Sequence, residues 1–343
     1  MLPIWPAAIG APSPVLEAAD FFLDSGDTAT VISRCDVEAA AGRIAGRIRR
    51  TPVADIDPAD YTPAGTVWLK LEFMQHTGSF KPRGMFNRIL AAAEAGGLPS
   101  EGVITASGGN AGAAVAYAAK ELDVTAEVYV PATTPAVKVD KLHKLGARVV
   151  QHGVEYAEAY EAATKRAAET GALFCHAYDQ PEVCAGQGTL ALELLEQVGE
   201  IDTVVLAVGG GGLMAGVAAA LEGRARVIAV EPETIPTLRA ALAAGGPVDV
   251  DVSGIAVDSL GARRAGTIAY QVATRTGVRS VLVTDEAIID ARRQLWDQHR
   301  VIVEHGTAAA LAALISGVYR PADGERLAIL LCGGNTNPAD LAS

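Results

Sequence analysis

The sequence has no disulfide framework, no basic stripe, no long apolar run and no metal-ligand spacing, and each absence removes a class of function. Its four cysteines, Cys35, Cys175, Cys184 and Cys332, are widely separated and form no CxxC pair or zinc spacing, so they read as reduced thiols in a cytoplasmic protein. The net charge is −12 with no clustered Lys/Arg face, which argues against nucleic acid or an anionic membrane surface as partner. No apolar run reaches the length of a membrane span, and residues 1–14, though apolar, lack the basic start of a secretory signal. The six histidines lack metal-ligand spacing; His143, His152, His176, His299 and His305 read as surface or packing residues. Neither a GxSxG elbow nor a GxxxxGK(S/T) phosphate loop is present. These exclusions favour a soluble protein with a small-molecule ligand.

What is present is a large α/β chain. Half of the 343 residues are hydrophobic, enough for a substantial core in one large or two ordinary domains. Residues 1–30, rich in Pro and Ala, read as an N-terminal extension. From Val103 onward, strand-like runs at 103–105, 126–130 and 148–150 alternate with helical patterns at 111–122, 135–145 and 156–169. A second series places strands at 203–208, 226–230, 281–283 and 327–331 among helices at 187–198, 213–221, 235–243, 286–299 and 307–318. Such alternation predicts parallel strands joined by crossover helices. The stretch 245–266 is too long for a simple connection, and such loops often serve function.

The segment Thr77-Gly78-Ser79-Phe80-Lys81-Pro82-Arg83-Gly84 lies between a strand-like run at 66–71 and a helical run at 85–93. Lys81 is expected in the connecting turn, with Pro82 at the first helical position, where its fixed φ fits and its missing N–H is no loss. A lysine held in such a corner suits use as an amine nucleophile.

Three glycine turns follow strands: Ser107-Gly108-Gly109-Asn110-Ala111-Gly112, Gly209-Gly210-Gly211-Gly212, and Cys332-Gly333-Gly334-Asn335. In parallel α/β sheets this edge binds ligands. The four consecutive glycines allow backbone N–H groups to converge on an anion at a helix start, with phosphate as the natural occupant. The same segment also fits a relaxed dinucleotide fingerprint, Gly210-x-Gly212-x-x-Ala215, with Glu231 ending the next strand as a ribose-binding acid. A nicotinamide-dependent oxidoreductase is therefore an alternative, although that fingerprint explains neither Lys81 nor the other two turns.

Together, Ser79–Gly84, Ser107–Gly112, Gly209–Gly212 and Cys332–Asn335 resemble the serine/threonine dehydratase family, fold type II enzymes dependent on pyridoxal phosphate. The resemblance runs from about Val31 to the C-terminus and includes Val130–Pro135 and Asp179–Glu182. It implies two three-layer α/β domains with mostly parallel twisted sheets and the cofactor in the cleft between them: a large domain of residues 31–91 and 179–343, and a small one of 92–178. By the same implication Lys81 carries the cofactor as a Schiff base and takes the substrate's α-proton. Phe80 lies against the ring, Asn110 bonds the ring hydroxyl, and Gly209, Gly210, Gly211 and Gly212 cradle the phosphate. Cys332 faces the pyridine nitrogen, where a neutral thiol holds no proton as a carboxylate would. Ser107, Gly108, Asn110 and Ala111 form the loop for the substrate carboxylate.

The reaction so implied is α,β-elimination from threonine or serine, giving 2-oxobutanoate or pyruvate and ammonia. Serine racemase and threo-3-hydroxyaspartate dehydratase are alternatives of the same family. Racemases carry a serine two residues before the loop asparagine; here Gly108 has no proton to give, which favours dehydration. Ala111 stands where many threonine dehydratases have histidine, and looks more like the serine dehydratase branch. A monovalent cation such as potassium at Glu231, the Ile235 carbonyl and Thr237, a homodimer, and no feedback by isoleucine are further expectations from the resemblance. Against the cation stands the simpler reading that Glu231 caps the helix after it.

Overall fold

A computed structural model describes residues 31–57 and 65–341 of the chain; the extension assigned to residues 1–30 lies outside them. Among the described residues, ten strands form two sheets: β1 (Val53–Ile56), β2 (Thr66–Lys70), β3 (Val103–Ala106), β4 (Ala126–Val130), β5 (Arg148–Gln151), β6 (Leu173–Phe174), β7 (Thr203–Ala207), β8 (Arg226–Pro232), β9 (Arg279–Val283) and β10 (Arg326–Leu330). One sheet runs β1-β2-β10-β7-β8-β9 and the other β5-β4-β3-β6. Every pairing is parallel except the β1–β2 edge hairpin. The α/β class and the parallel sheets expected from the alternation are both present.

Burial follows from this topology. Parallel strands covered on both faces read as continuous apolar runs, and β4 and β7 are buried at every position, whereas β5, at an edge, is half open. Hydrophobic clusters fill both faces of the larger sheet, one around Leu190, Val204, Met214 and Leu330, the other around Ile228, Ile288, Leu311 and Ile329. A third joins the smaller sheet to the helix Lys81–Gly96 through Met85, Phe86, Ile89, Ala114 and Val128.

Several elements differ from the periodicity. The helix expected at 85–93 spans Lys81–Gly96, so Lys81 is its first residue, not part of the turn, and Pro82 is its second. The helix expected at 187–198 begins at Pro181; Gly186 and Gly188 weaken its sequence signal but are demanded by packing. A helix at Arg34–Ile44, β1 and a helix at Thr267–Thr276 have no counterpart in the sequence reading. The expected loop 245–266 contains a short helix, Val257–Leu260, and an Asp249–Arg264 bridge. That loop leads to the glycine run, where the Gly266 N–H donates to the Gly210 carbonyl at 2.9 Å.

Glycine pairs set the helix spacing around the cleft. A Cβ on Gly186 would stand 2.8 Å from Gly84 Cα and 2.4 Å from the Arg83 carbonyl, and one on Gly216 would stand 2.1 Å from the Cys184 carbonyl and 2.5 Å from Gly188 N. The helix Pro181–Val198 thus touches, backbone to backbone, both the helix that begins at Lys81 and the helix Gly212–Leu221.

Candidate active site

Lys81 is presented by a turn that the C-terminal segment holds shut. Because β10 pairs with β2, the chain leaving β10 passes beside the chain leaving β2. There Phe80 N–H donates to the Cys332 carbonyl at 3.0 Å, Gly334 N–H to the Gly78 carbonyl at 2.9 Å, and Ser79 and Gly333 form an antiparallel bridge. Thr77 adopts φ 61°, ψ 5°, a left-handed conformation uncommon for a β-branched residue. The Asn335 amide clamps it, its Nδ2 donating to the Thr77 carbonyl at 2.8 Å.

The amine of Lys81 donates to the Ala177 carbonyl at 2.7 Å and stands 4.9 Å from the centroid of the buried Phe80 ring. Burial penalises its charged form and lowers its pKa to about 8, with Cys332, Cys184 and Glu304 opposing weakly. Two residues on, Arg83 is fixed inside the protein, its guanidinium donating to Glu72 at 2.7 and 2.9 Å and to Glu193 at 2.9 Å. Glu193 also pairs with the buried Lys70.

The glycine run fits an anion. Gly211, at φ +87°, precedes the helix Gly212–Leu221 and offers no capping side chain, so the first N–H groups of that helix await a partner from outside it. A Cβ on Gly210 would lie 2.4 Å from the Tyr178 ring. Beside Gly212 lies the Gln187 amide, fully buried with neither polar atom partnered. Pyridoxal phosphate fits these residues: an amine of lowered pKa, a buried ring-sized neighbour in Phe80, and a helix start with an orphaned amide beside it.

Asn110 starts the helix Asn110–Glu121, again behind a glycine N-cap with no side-chain bond. Its Nδ2 donates to Glu304 at 2.8 and 3.1 Å, and its Oδ1 accepts from Asn335 Nδ2 at 2.7 Å. Glu304 also accepts the Asn335 N–H at 3.0 Å, and burial raises its pKa. Sequence reasoning missed Glu304 and gave Asn335 no role; no motif marks a glutamate whose partners are distant in the chain. Cys332 is buried with its Sγ 3.3 Å from Thr307 Oγ1, and burial pushes its thiol up to about 12. Ser107 Oγ accepts the Gly109 N–H at 3.2 Å, Gly108 faces Thr134, and Ala111 is buried in the first turn of the helix. His176 is a structural acceptor: its Nδ1 receives the N–H groups of Tyr178 and Asp179 at 3.2 and 2.9 Å, and burial lowers its pKa to about 4.

Glu231 is fully buried, and burial raises its pKa. It accepts the N–H groups of Leu238 and Arg239 at 2.7 and 3.0 Å and the Ser280 and Thr237 hydroxyls at 2.7 and 3.3 Å. It therefore caps the helix Thr237–Ala244 and is enclosed, which deprives the dinucleotide alternative of its ribose-binding acid. Thr237 Oγ1 also donates to the Gly209 carbonyl at 2.6 Å, tying this cap to the glycine run, and the Ile235 carbonyl accepts the Thr237 N–H at 3.1 Å. Among the described residues, no group of three or more His, Cys, Asp or Glu could hold a metal ion, and no helix is long and apolar enough to cross a membrane.

Comparison with known proteins agrees with this chemistry. The family model for "Pyridoxal-phosphate dependent enzyme" matches residues 44–333. The chain is 34% identical to an L-threonine ammonia-lyase of Thermotoga maritima over 88% of this chain and 75% of that one. It is 35% identical to a phenylserine dehydratase of Ralstonia pickettii over 92% of this chain and 97% of that one. The solved structure of maize serine racemase superposes with a TM-score of 0.84 at 31% identity, covering 91% of this chain and 96% of that one. The matched span includes Lys81, the glycine run and Cys332, and the protein belongs to the pyridoxal-phosphate dependent enzymes of fold type II, in the serine/threonine dehydratase family.

Proposed function

We propose that this protein is an ammonia-lyase acting on β-hydroxy amino acids, converting threonine to 2-oxobutanoate and serine to pyruvate with release of ammonia. The observation that carries the reading is the Lys81 amine of lowered pKa, set at a helix start near the buried, neutral Cys332 thiol, together with a glycine run that opens a second helix without a capping side chain. Bound there, pyridoxal phosphate supplies a sink for the electrons left when the substrate's α-proton departs.

The residues divide the work. Lys81 Nζ would hold the cofactor and, once freed, would take the substrate's α-proton. Gly209, Gly210, Gly211 and Gly212 would bind the phosphate through backbone N–H groups at the helix start. Phe80 would pack on the cofactor ring and Asn110 would bond its hydroxyl, with Glu304 and Asn335 orienting the Asn110 amide. Cys332, a thiol held neutral by burial, would put no negative charge beside the cofactor, which favours loss of the substrate's β-hydroxyl. The substrate carboxylate is received by Ser107, Gly108, Asn110 and Ala111 at the start of the helix Asn110–Glu121.

Gly108 favours elimination over racemisation, because it offers no hydroxyl to return a proton from the opposite face. Serine racemase remains the second reading, on the likeness to the maize enzyme. The two sheets support a large domain of residues 31–91 and 179–343 and a small one of 92–178. A homodimer in the cytoplasm completes the reading. A potassium ion at Glu231, Ile235 and Thr237 is a secondary part of it, and would have to share oxygens that already accept protein donors.

Purified protein tests the proposal directly. Visible absorbance that is bleached by borohydride with Lys81 modified, and 2-oxo acid release from serine or threonine, are expected. Release of D-serine from L-serine without 2-oxo acid would replace the dehydratase by the racemase. A colourless protein that takes up no pyridoxal phosphate would end both.

A further inference from the structure

Aromatic residues are only 5% of this chain, yet a row of rings runs up to Lys81. Phe174, His176 and Tyr178 alternate along the segment leaving β6, while Tyr156 and Tyr160 stand four apart at the start of the helix Tyr156–Thr170. The rings meet in succession: Tyr156 to Tyr160 at 6.0 Å between centroids, Tyr160 to His176 at 5.9 Å, and His176 to Tyr178 at 4.6 Å, the last two edge to face.

The inner end of the row abuts the reacting centre. Ala177, between His176 and Tyr178, accepts the Lys81 amine, and the Tyr178 ring covers Gly210 of the glycine run. The outer end is open: Tyr156 is 51% exposed and Val154, two residues before it, 66%. The Val154 carbonyl accepts from Thr133 Oγ1 at 3.1 Å, and the adjoining Thr134 lies against Gly108 in the loop assigned to the substrate carboxylate. The row therefore runs from beside Lys81 to the segment behind that loop, on the side open to a substituent of a substrate whose carboxylate the loop holds. The row also carries no charge: His176 is a neutral acceptor and the Tyr178 hydroxyl donates to the Arg264 carbonyl at 3.2 Å. It offers nothing to a β-carboxylate, which disfavours hydroxyaspartate.

We infer that this wall receives an aryl group, and that aryl-β-hydroxy amino acids of the 3-phenylserine type are the preferred substrates; the inference rests on the elimination proposed above. The step balances without a further reagent. The α-C–H bond gives its proton to Lys81, the β-C–O bond breaks and its oxygen leaves as water, and a water molecule returns as ammonia is released, so 3-phenylserine yields phenylpyruvate and ammonia. Edge-to-face and stacked ring contacts favour such a substituent beyond its area alone.

The holoenzyme, with Tyr156→Ala and Tyr156→Phe, is assayed for 2-oxo acid release and for the change in visible absorbance on adding 3-phenylserine, threonine or serine. Wild-type kcat/KM is expected to be about tenfold higher for 3-phenylserine than for threonine. Tyr156→Ala should lower the 3-phenylserine value about fivefold while threonine changes less than about twofold, and Tyr156→Phe should preserve it. Threonine turned over faster than 3-phenylserine, or equal losses on both in Tyr156→Ala, overturns the aryl site and leaves the dehydratase standing. If no substrate releases a 2-oxo acid, the dehydratase fails, and half-saturation of the absorbance change decides the aryl site: tighter 3-phenylserine upholds it, tighter threonine or serine overturns it.

Discussion

Lys81 shows how one residue's chemistry is made by its surroundings. An ordinary lysine at neutral pH is almost wholly ammonium; at a pKa of about 8, about a tenth is free amine at pH 7. Only the free amine is a nucleophile, so covalent capture of pyridoxal phosphate by the apoprotein should accelerate as pH rises and level off above about 8. Stopped-flow absorbance reads this, and acceleration continuing beyond pH 10 would show an unperturbed amine. Lys81, the glycines and Cys332 could be proposed from the sequence because each stands in a short motif. Glu304 was not, since a glutamate before a histidine resembles any helix start until Asn110, far away in the chain, is seen bonded to it.

At the scale of elements, the helix that begins at Lys81 is positioned from inside the protein. Arg83, with its side chain 1% exposed, holds Glu72 and Glu193, and Lys70 completes the network. Removing one partner from a buried pair leaves uncompensated charge. Arg83→Met should therefore cost about 3–5 kcal/mol in urea unfolding. Arg50→Ala, which loses only the exposed pair to Glu196, should stay within about 1 kcal/mol. Similar losses from the two would mean that the buried network contributes no more than a surface contact. The same scale explains where periodicity failed: Gly186 and Gly188 weaken the helical pattern of residues 181–198, yet Gly186 against Gly84 and Gly188 against Gly216 are what let three helices meet. Helix propensity is local, whereas close approach is settled by the neighbouring backbone.

At the scale of the whole molecule, no single segment contains the proposed site. Lys81 follows β2, Asn110 follows β3, the glycine run follows β7 and Cys332 follows β10. The larger sheet joins three of these strand ends and the smaller supplies the fourth. Cofactor binding should therefore belong to the native state alone, so added pyridoxal phosphate should raise the Tm. The visible cofactor signal should also disappear in the same urea transition as the far-UV circular dichroism. Loss of the visible signal at clearly lower urea would reveal a cleft that opens before the sheets unfold.

The sequence by itself determined the α/β class and most crossover helices and marked the motif residues proposed for the site, because apolar periodicity and glycine turns act over a few residues. Tertiary structure decided the central place of β10 between β2 and β7, the Glu304–Asn110–Asn335 link, the capping role of Glu231 and the row of rings from Tyr156 to Tyr178. Each of these joins residues distant in the chain, and only when the apolar faces of the sheets are buried do such groups come within bonding distance.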